Sequence, residues 1–345
     1  MALKSPHILC IRFSAMGDVA MTIPVLIALT RKYPDLEITV VSKPFFAPLF
    51  QSIERVHFYG ADVKTKYKGA LGLYKLFKDL KPERFTAIAD LHSVIRSHVL
   101  KSFFRLRGNY TAQIDKGRTE KKALTKSANK DFRPLLTTHE RYASVFKKIG
   151  YPIQLDGSEI LAKQSLSNNV RAMLGNEPQK WLGIAPFAAH DGKKYPLELL
   201  DEVLAALSEK PYKIILFGGG KEEERLLNLL ASKYDSVCSV AGCFSFSEEI
   251  ALISHLDAML AMDSGNGHLA ALFGIPTLTI WGVTHPYLGF APYKQSIENQ
   301  LLADREMYPA IPTSVYGNKV PQGYENVMHT ILPEQVLKRI YALLD

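Results

Sequence analysis

The sequence predicts an α/β protein of two doubly wound, Rossmann-like domains that face each other across a cleft. Short apolar runs alternate with helical segments twice along the chain, with a break between the two sets. Each set also places a polar, glycine-containing turn directly after a buried strand. Ligands of such sheets bind beyond the carboxyl ends of the strands, so these turns are the candidate sites.

In the first half, the alternation of strands and helices begins at residue 7 and pauses in the basic run 116–126. A solvated loop would be enough to explain this run of charge. Residues 150–179 are predicted to be a connection, so the first domain is expected to span 1–160. The predicted strands are 7–13, 37–41, 56–59, 85–91 and 109–114, and the predicted helices are 19–33, 71–80, 94–104 and 139–149.

The second domain is expected to span 161–345, and its last helix has an amphipathic pattern suited to packing across the junction. Residues 283–323 contain five prolines and little periodicity, which predicts a long functional loop. The predicted strands are 181–185, 212–217, 237–240, 256–262 and one after Pro276; the predicted helices are 197–207, 222–230, one opened by Ser247-Glu248-Glu249, 268–273 and 333–344.

Composition narrows the class of protein. With 47% hydrophobic and 22% charged residues in 345, the chain is an ordinary globular protein. No apolar run reaches the ~18 to 20 residues of a membrane span, and the N-terminus lacks a signal-peptide pattern, so a cytoplasmic location is expected. Three cysteines without zinc or redox spacing fit a reducing compartment. The net charge of +8 favours an anionic partner.

The turn from Asp263 to His268 is the strongest local candidate. It follows a buried strand and starts a helix, so free backbone N–H groups and two glycines could hold anionic oxygen. A simple helix cap explains the same residues. The first half repeats the arrangement at Ser14 to Asp18, where Asp18 is either a carboxylate pointing into the cleft or a partner of the helix dipole.

Two further loops belong to the same predicted edge of the second sheet. Lys193 and Lys194 follow a strand and could meet a phosphate, although lysines in loops are usually solvated. Gly218-Gly219-Gly220 forms a flexible turn. The chain lacks G-x-G-x-x-G, G-x-S-x-G, D-x-D and H-E-x-x-H patterns, so a dehydrogenase, a hydrolase elbow and a dedicated metal site are not expected.

Taken together, these motifs resemble those of the bacterial glycosyltransferases of family 9, the ADP-heptose:lipopolysaccharide heptosyltransferases. The resemblance covers nearly the whole chain. The residues that carry it are Ile11-Arg12-Phe13-Ser14-Ala15-Met16-Gly17-Asp18, Lys193-Lys194-Tyr195-Pro196, Ala241-Gly242 ahead of Ser247-Glu248-Glu249, and Asp263-Ser264-Gly265 with Gly267-His268-Leu269.

This resemblance implies a GT-B fold and inverting transfer of a heptose or related sugar from an ADP-sugar to the lipopolysaccharide inner core, without metal or cofactor. It implies that Asp18 is the general base and that Lys193 contacts the donor phosphates. The expected donor-binding residues are Ala188, Lys193, Gly219, Asp263, Ser264, Gly265, Gly267 and His268; the expected acceptor-binding residues are Ser14, Met16, Gly17, Lys116, Arg118, Lys121 and Lys122.

The expected partners are the nucleotide-sugar, the acidic lipid A-core acceptor and, peripherally, the inner face of the cytoplasmic membrane, with no nucleic acid. Three departures leave the sugar open: Ala188 and Ala189 replace hydroxyl residues of some members, Tyr195 replaces a Trp, and Asn266 replaces a frequent Pro. Two rival functions are a nucleotide-sugar epimerase on the same fold and a catalytically silent nucleotide-binding protein.

Overall fold

The fold is known from a computed structural model that describes residues 5–175 and 179–345. The expectations for the extreme N-terminus (1–4) and for residues 176–178 of the connection lie outside the described residues. The described strands are β1 (His7–Ile11), β2 (Glu37–Ser42), β3 (Val56–Gly60), β4 (Ala87–Asp90), β5 (Tyr110–Gln113), β6 (Lys180–Ala185), β7 (Tyr212–Leu216), β8 (Val237–Ser239), β9 (Ala258–Met262), β10 (Thr277–Trp281) and β11 (Gln300–Leu302).

The described helices are α1 (Met16–Ala20), α2 (Ile23–Lys32), α3 (Gly69–Asp79), α4 (Ile95–Leu106), α5 (Arg118–Leu124), α6 (Thr138–Lys148), α7 (Asn168–Leu174), α8 (Leu197–Ser208), α9 (Lys221–Ala231), α10 (Phe246–Ile253), α11 (Gly265–Ala271) and α12 (Pro333–Leu344). None of these described helices is long and apolar enough to cross a bilayer.

The first sheet has the strand order β3-β2-β1-β4-β5, and all its strand pairs are parallel. The central strand β1 is buried along its whole length, which matches its largely apolar sequence. Ile11 lies opposite Val41 of β2 and Asp90 of β4. The chain order changes direction between β1 and β4, so the residues after these two strands meet at a topological switch point.

The second sheet has the order β11-β10-β9-β6-β7-β8 and is also parallel throughout. Ala261 of β9 lies between Thr279 of β10 and Ala185 of β6. Here the switch point falls between β6 and β9. The turn at Asp263 and the loop that holds Lys193 therefore leave the sheet side by side.

The chain divides into two compact units, of which the first contains Met1–Lys116 and Thr137–Leu161. The second contains Gly117–Leu136 and Ala162–Asp345. The sequence places residues 117–136 in the first domain, and the structure corrects this. Leu124 and Leu135 of this segment pack with Leu288 in an apolar cluster of the second unit, and that burial outweighs proximity in sequence.

Several element boundaries differ from those predicted. The predicted helix 19–33 is two helices, because Pro24 lies in the first turn of α2 and lacks the N–H needed to continue α1. Helix α10 is capped by Ser245, whose hydroxyl accepts from the Glu248 N–H, rather than opened at Ser247. Helix α7, capped by Ser167, lies in the predicted connection.

The predicted loop 283–323 is only partly irregular. It contributes the edge strand β11, which pairs with β10. The final helix α12 belongs to the second unit, where it packs against α8 and β9 and buries Val336, Ile340 and Leu344.

Candidate active site

In the first unit, Asp18 lies in the short helix α1 that follows β1. Its Oδ2 accepts a hydrogen bond from the backbone N–H of Ala15, at 3.2 Å. This contact is the helix-cap role that the sequence leaves open. Ser14, Met16 and Gly17 lie around it and are half-exposed.

Asp18 has a second contact that a cap does not require. The Nη2 atom of Arg12 lies 2.5 Å from Asp18 Oδ2, and the two side chains are 6% and 28% exposed. Arg12 is itself fixed, because its Nη1 donates to the Leu91 carbonyl at 2.8 Å and its guanidinium lies 5.9 Å from the Tyr142 ring centroid. Both contacts use Oδ2, so among the described residues nothing bonds Oδ1.

The last residue of β4, Asp90, and His92 just after the strand complete this region, and sequence reasoning misses both. The Nδ1 of His92 accepts from the Phe13 N–H at 3.4 Å. Burial and the nearby Arg12 and Lys116 charges lower the pKa of His92 to about 3, so its ring is neutral at neutral pH. Asp90 is fully buried and accepts from the N–H of His92, which shapes the turn.

In the second unit, the central contact joins Lys193 and Asp263. Lys193 ends a short 3₁₀ turn after β6, and its Nζ lies 3.1 Å from Asp263 Oδ2. The two side chains are 13% and 10% exposed. Thr284, after β10, donates its hydroxyl to the same Oδ2 at 2.9 Å. No described residue bonds Asp263 Oδ1, so a carboxylate oxygen and an ammonium group are available to a ligand together.

The turn after β9 is more than a helix cap. Ser264 occupies the N-cap position of α11, yet its hydroxyl makes no capping bond. Its Oγ is buried and has no hydrogen-bond partner among the described residues, which leaves it for a ligand. Gly265 starts the helix and His268 is buried within it. Gly267 serves packing, because a Cβ there would lie 3.3 Å from the Ala261 Cβ.

The other predicted donor-binding residues, Gly219 and Ala188, have contacts within the second unit. The N–H of Gly219 donates to Glu223 Oε2 at 2.8 Å, so this amide is already bonded to a side chain of α9. Ala188 packs partly against the core of the second unit. Lys194 is half-exposed and pairs with the exposed Asp191 at 2.7 Å. The structure therefore separates the two lysines of the loop: only Lys193 reaches Asp263.

The basic segment 116–126 does not lie wholly in the first unit, as the sequence predicts. Arg118, Lys121 and Lys122 lie on α5 in the second unit, whereas Lys116 belongs to the first unit. Lys121, expected to bind acceptor, is 6% exposed, and its ammonium lies 3.7 Å from the Phe290 ring centroid. This cation–π contact fixes α5 to its own unit. Of the three basic residues of α5, only Arg118 and Lys122 have exposed side chains.

Glu249, the last residue of the Ser247-Glu248-Glu249 motif, is a titratable group to which the sequence assigns no site role. It lies half-buried in the first turn of α10, a helix that contacts α11. Burial raises its pKa from 4.5 to about 7. The folded protein therefore holds this proton between pH 4.5 and about 7 while the unfolded chain releases it. Stability falls as pH rises through that window.

We expect Glu249→Gln to raise the free energy of unfolding at pH 8 by about 1 to 2 kcal/mol, because the amide never has to carry a buried charge. At pH 5 the gain should be much smaller, since Glu249 is then mostly protonated in the folded protein. Urea unfolding at both pH values measures this. Glu209→Gln, at an exposed carboxylate of the same unit, is the control. Equal gains at both pH values would contradict a titration effect.

Among the described residues no group of three or more His, Cys, Asp or Glu side chains could hold a metal ion. The three cysteines, Cys10, Cys238 and Cys243, are free, and burial raises the pKa of Cys238 to about 11. Neither observation gives the chain a metal or redox centre within the described ranges.

Comparison with known proteins identifies the family of this chain. The family model of glycosyltransferase family 9 (heptosyltransferase) matches residues 73–317, well over half of the chain. The lipopolysaccharide core heptosyltransferase OpsX of Haemophilus influenzae is 26% identical over 298 residues, covering 84% of this chain and 83% of that protein.

Two solved structures share the fold over almost the full length. A family 9 glycosyltransferase of Veillonella parvula aligns with a TM-score of 0.76 and 17% identity, covering 100% of this chain and 98% of that one. E. coli heptosyltransferase WaaC, solved with ADP, gives a TM-score of 0.69 and 18% identity, covering 98% and 99%. The predicted GT-B class, with two Rossmann-like units, is confirmed. The chain belongs to glycosyltransferase family 9, the heptosyltransferase family, and is a glycosyltransferase enzyme.

Proposed function

We propose that this chain transfers a heptose or a related sugar from an ADP-sugar to the lipopolysaccharide inner core, with inversion at the sugar carbon and without a metal ion. Family membership supports the reaction class, and OpsX is a lipopolysaccharide core heptosyltransferase. The observation that carries the proposal is the Lys193–Asp263 pair at the switch point of the second sheet.

The leaving group is the first requirement of this chemistry. As the bond from sugar to diphosphate breaks, negative charge grows on the diphosphate, and a preorganised cation stabilises it most in the transition state. Lys193 supplies that charge, and its low exposure strengthens the interaction. Asp263 accepts hydrogen bonds from sugar hydroxyls through Oδ1, and Ser264 Oγ adds a donor.

The acceptor hydroxyl is the second requirement, because it must lose a proton as it attacks. Asp18 is the proposed general base and takes that proton on Oδ1. Arg12 keeps the carboxylate in one orientation through Oδ2. A single displacement with one base inverts the sugar carbon, so the proposed residues and the proposed stereochemistry agree.

The acidic lipid acceptor is the third requirement. Lys116, Arg118 and Lys122 are the basic residues proposed to attract it, while Lys121 is excluded by its contact with Phe290. A net charge of +8 favours the anionic inner face of the cytoplasmic membrane, where each Lys or Arg near the surface contributes about 1 kcal/mol. The protein is proposed to work there as a peripheral enzyme.

The test is turnover of ADP-heptose with purified lipopolysaccharide inner core, with and without EDTA, followed by assignment of the anomeric configuration of the product. We expect turnover that EDTA leaves unchanged, with an inverted linkage. Calorimetry with ADP, UDP and GDP should rank ADP first. Far tighter binding of UDP would overturn the ADP-heptose assignment.

Two rival functions give different results in the same assay. An epimerase would convert the sugar of the donor in the absence of any acceptor. A catalytically silent nucleotide-binding protein would bind ADP in the calorimeter but would never turn over the donor, whichever acceptor extract is added.

A further inference from the structure

The long segment between β10 and α12 contains a closed turn, residues 313–320, that we call the 313–320 loop. Thr313 ties it to the sheet edge, because its N–H donates to the Val283 carbonyl at 2.9 Å. Inside the loop, the buried Ser314 Oγ accepts from the Gly317 N–H at 3.1 Å and donates to Asn318 Oδ1 at 2.8 Å. The backbone of Gly317 is therefore held in place by the protein itself.

Gly317 lies directly against the side chain of Lys193. A Cβ at position 317 would lie 2.5 Å from both Cγ and Cδ of Lys193 and 3.5 Å from its Cε. Carbon atoms that are not bonded do not approach this closely. The aliphatic part of Lys193 thus occupies the space that any other residue at 317 would fill.

The same loop also fixes the backbone just before Lys193. A Cβ on Gly192 would lie 2.8 Å from Val320 Cγ2 and 2.6 Å from Val283 Cγ2. The Gly192 carbonyl accepts from the Val283 N–H at 3.0 Å. Val283 and the 313–320 loop therefore enclose both the turn that carries Lys193 and the Cγ and Cδ atoms of its side chain.

The far end of Lys193 is fixed as well, since Nζ lies 3.1 Å from Asp263 Oδ2. We propose that Gly317 is a positioning residue for Lys193: its missing side chain lets the lysine run along the 313–320 loop and deliver its ammonium group to the donor diphosphate. This inference rests on the proposed role of Lys193. It gives the 283–323 segment a function beyond the edge strand β11.

The variant Gly317→Ala tests whether Gly317 positions Lys193. Because a lysine side chain is flexible, the new methyl group should push Lys193 into another rotamer instead of unfolding the unit. We expect about a ten- to hundred-fold loss in kcat/KM with ADP-heptose, and weaker ADP binding by calorimetry, since small displacements of a charged group are costly in an active site.

Gly323→Ala is the matched control. Gly317 and Gly323 have φ of +82° and +84°, so alanine strains the backbone equally at both. A Cβ at position 323 would meet nothing within 4 Å, and that glycine is exposed. Only the excess effect of Gly317→Ala over Gly323→Ala reports on Lys193. Equal effects on ADP affinity and kcat/KM would overturn the proposal.

A double-mutant cycle with Lys193→Ala provides a second measurement, because alanine at 193 removes the clashing Cγ and Cδ. In that background Gly317→Ala should affect ADP binding and urea unfolding no more than Gly323→Ala does. A persistent excess would make Gly317 a merely structural glycine.

The unfolding cycle requires no substrate. If Gly317→Ala and Lys193→Ala are coupled in unfolding free energy but the wild-type protein does not bind ADP, the contact is correct and the proposed function is wrong. If the two changes are not coupled but the wild-type protein turns over ADP-heptose, the proposed function stands and the Gly317 inference is wrong.

Discussion

Asp18→Asn is expected to lower turnover of ADP-heptose with acceptor by about a hundred-fold or more, because an amide cannot accept the proton of the attacking hydroxyl. ADP affinity should remain, since the proposed donor-binding residues belong to the other unit. Steady-state kinetics and calorimetry on the same preparation separate the two quantities.

The contact with Arg12 adds an effect on stability. Asn can still accept from the guanidinium but carries no charge, so the nearly buried Arg12 loses its ionic partner. We expect a loss of about 1 to 3 kcal/mol in unfolding free energy. The variant should stay folded at assay temperature, and a urea titration checks this.

Asp62→Asn is the control for this experiment. Asp62 is a half-exposed carboxylate of the same unit that accepts from the Lys64 and Thr65 N–H groups, as a turn cap does. Its change should leave turnover unaltered. Near-normal turnover in Asp18→Asn would move the base elsewhere, with His268 as the next candidate. Unfolding of the variant would make Asp18 a structural cap.

The overall architecture follows from local pattern. Alternating strands and helices depend on hydrophobic periodicity, which can be read in windows of ten residues or so, and the structure has the two parallel sheets it predicts. Asp18, Lys193 and Asp263 could be proposed because each lies in or near the turn between a strand and the helix that follows it. Parallel sheets bring such residues to one edge.

The partners of these residues could not be predicted, because they arise from tertiary contacts between distant positions. Nothing in the sequence pairs Thr284 with Asp263, 21 residues apart, or sets Gly317 against Lys193. The unit to which residues 117–136 belong could not be predicted for a related reason. The charge of the basic run 116–126 does not reveal that Leu124 packs in the second unit.

Lys193→Ala is expected to weaken ADP affinity and to lower kcat/KM by roughly tens- to thousands-fold, since it removes the preorganised charge proposed to meet the leaving diphosphate. Lys194→Ala should have a much smaller effect, because the Lys194 ammonium pairs with the exposed Asp191. Lys193→Met keeps an aliphatic side chain beside Gly317 and separates loss of charge from loss of packing.

Part of the loss in Lys193→Ala should come from Asp263. Once its cation is gone, this nearly buried carboxylate would repel the diphosphate. The double variant Lys193→Ala with Asp263→Asn should therefore bind ADP more tightly than Lys193→Ala alone, though less tightly than the wild-type protein. Calorimetry on the wild-type protein, the two single variants and the double variant completes the cycle. Additive losses would mean that the two residues act separately on the donor, and equal effects of Lys193→Ala and Lys194→Ala would show that the loop presents neither lysine selectively.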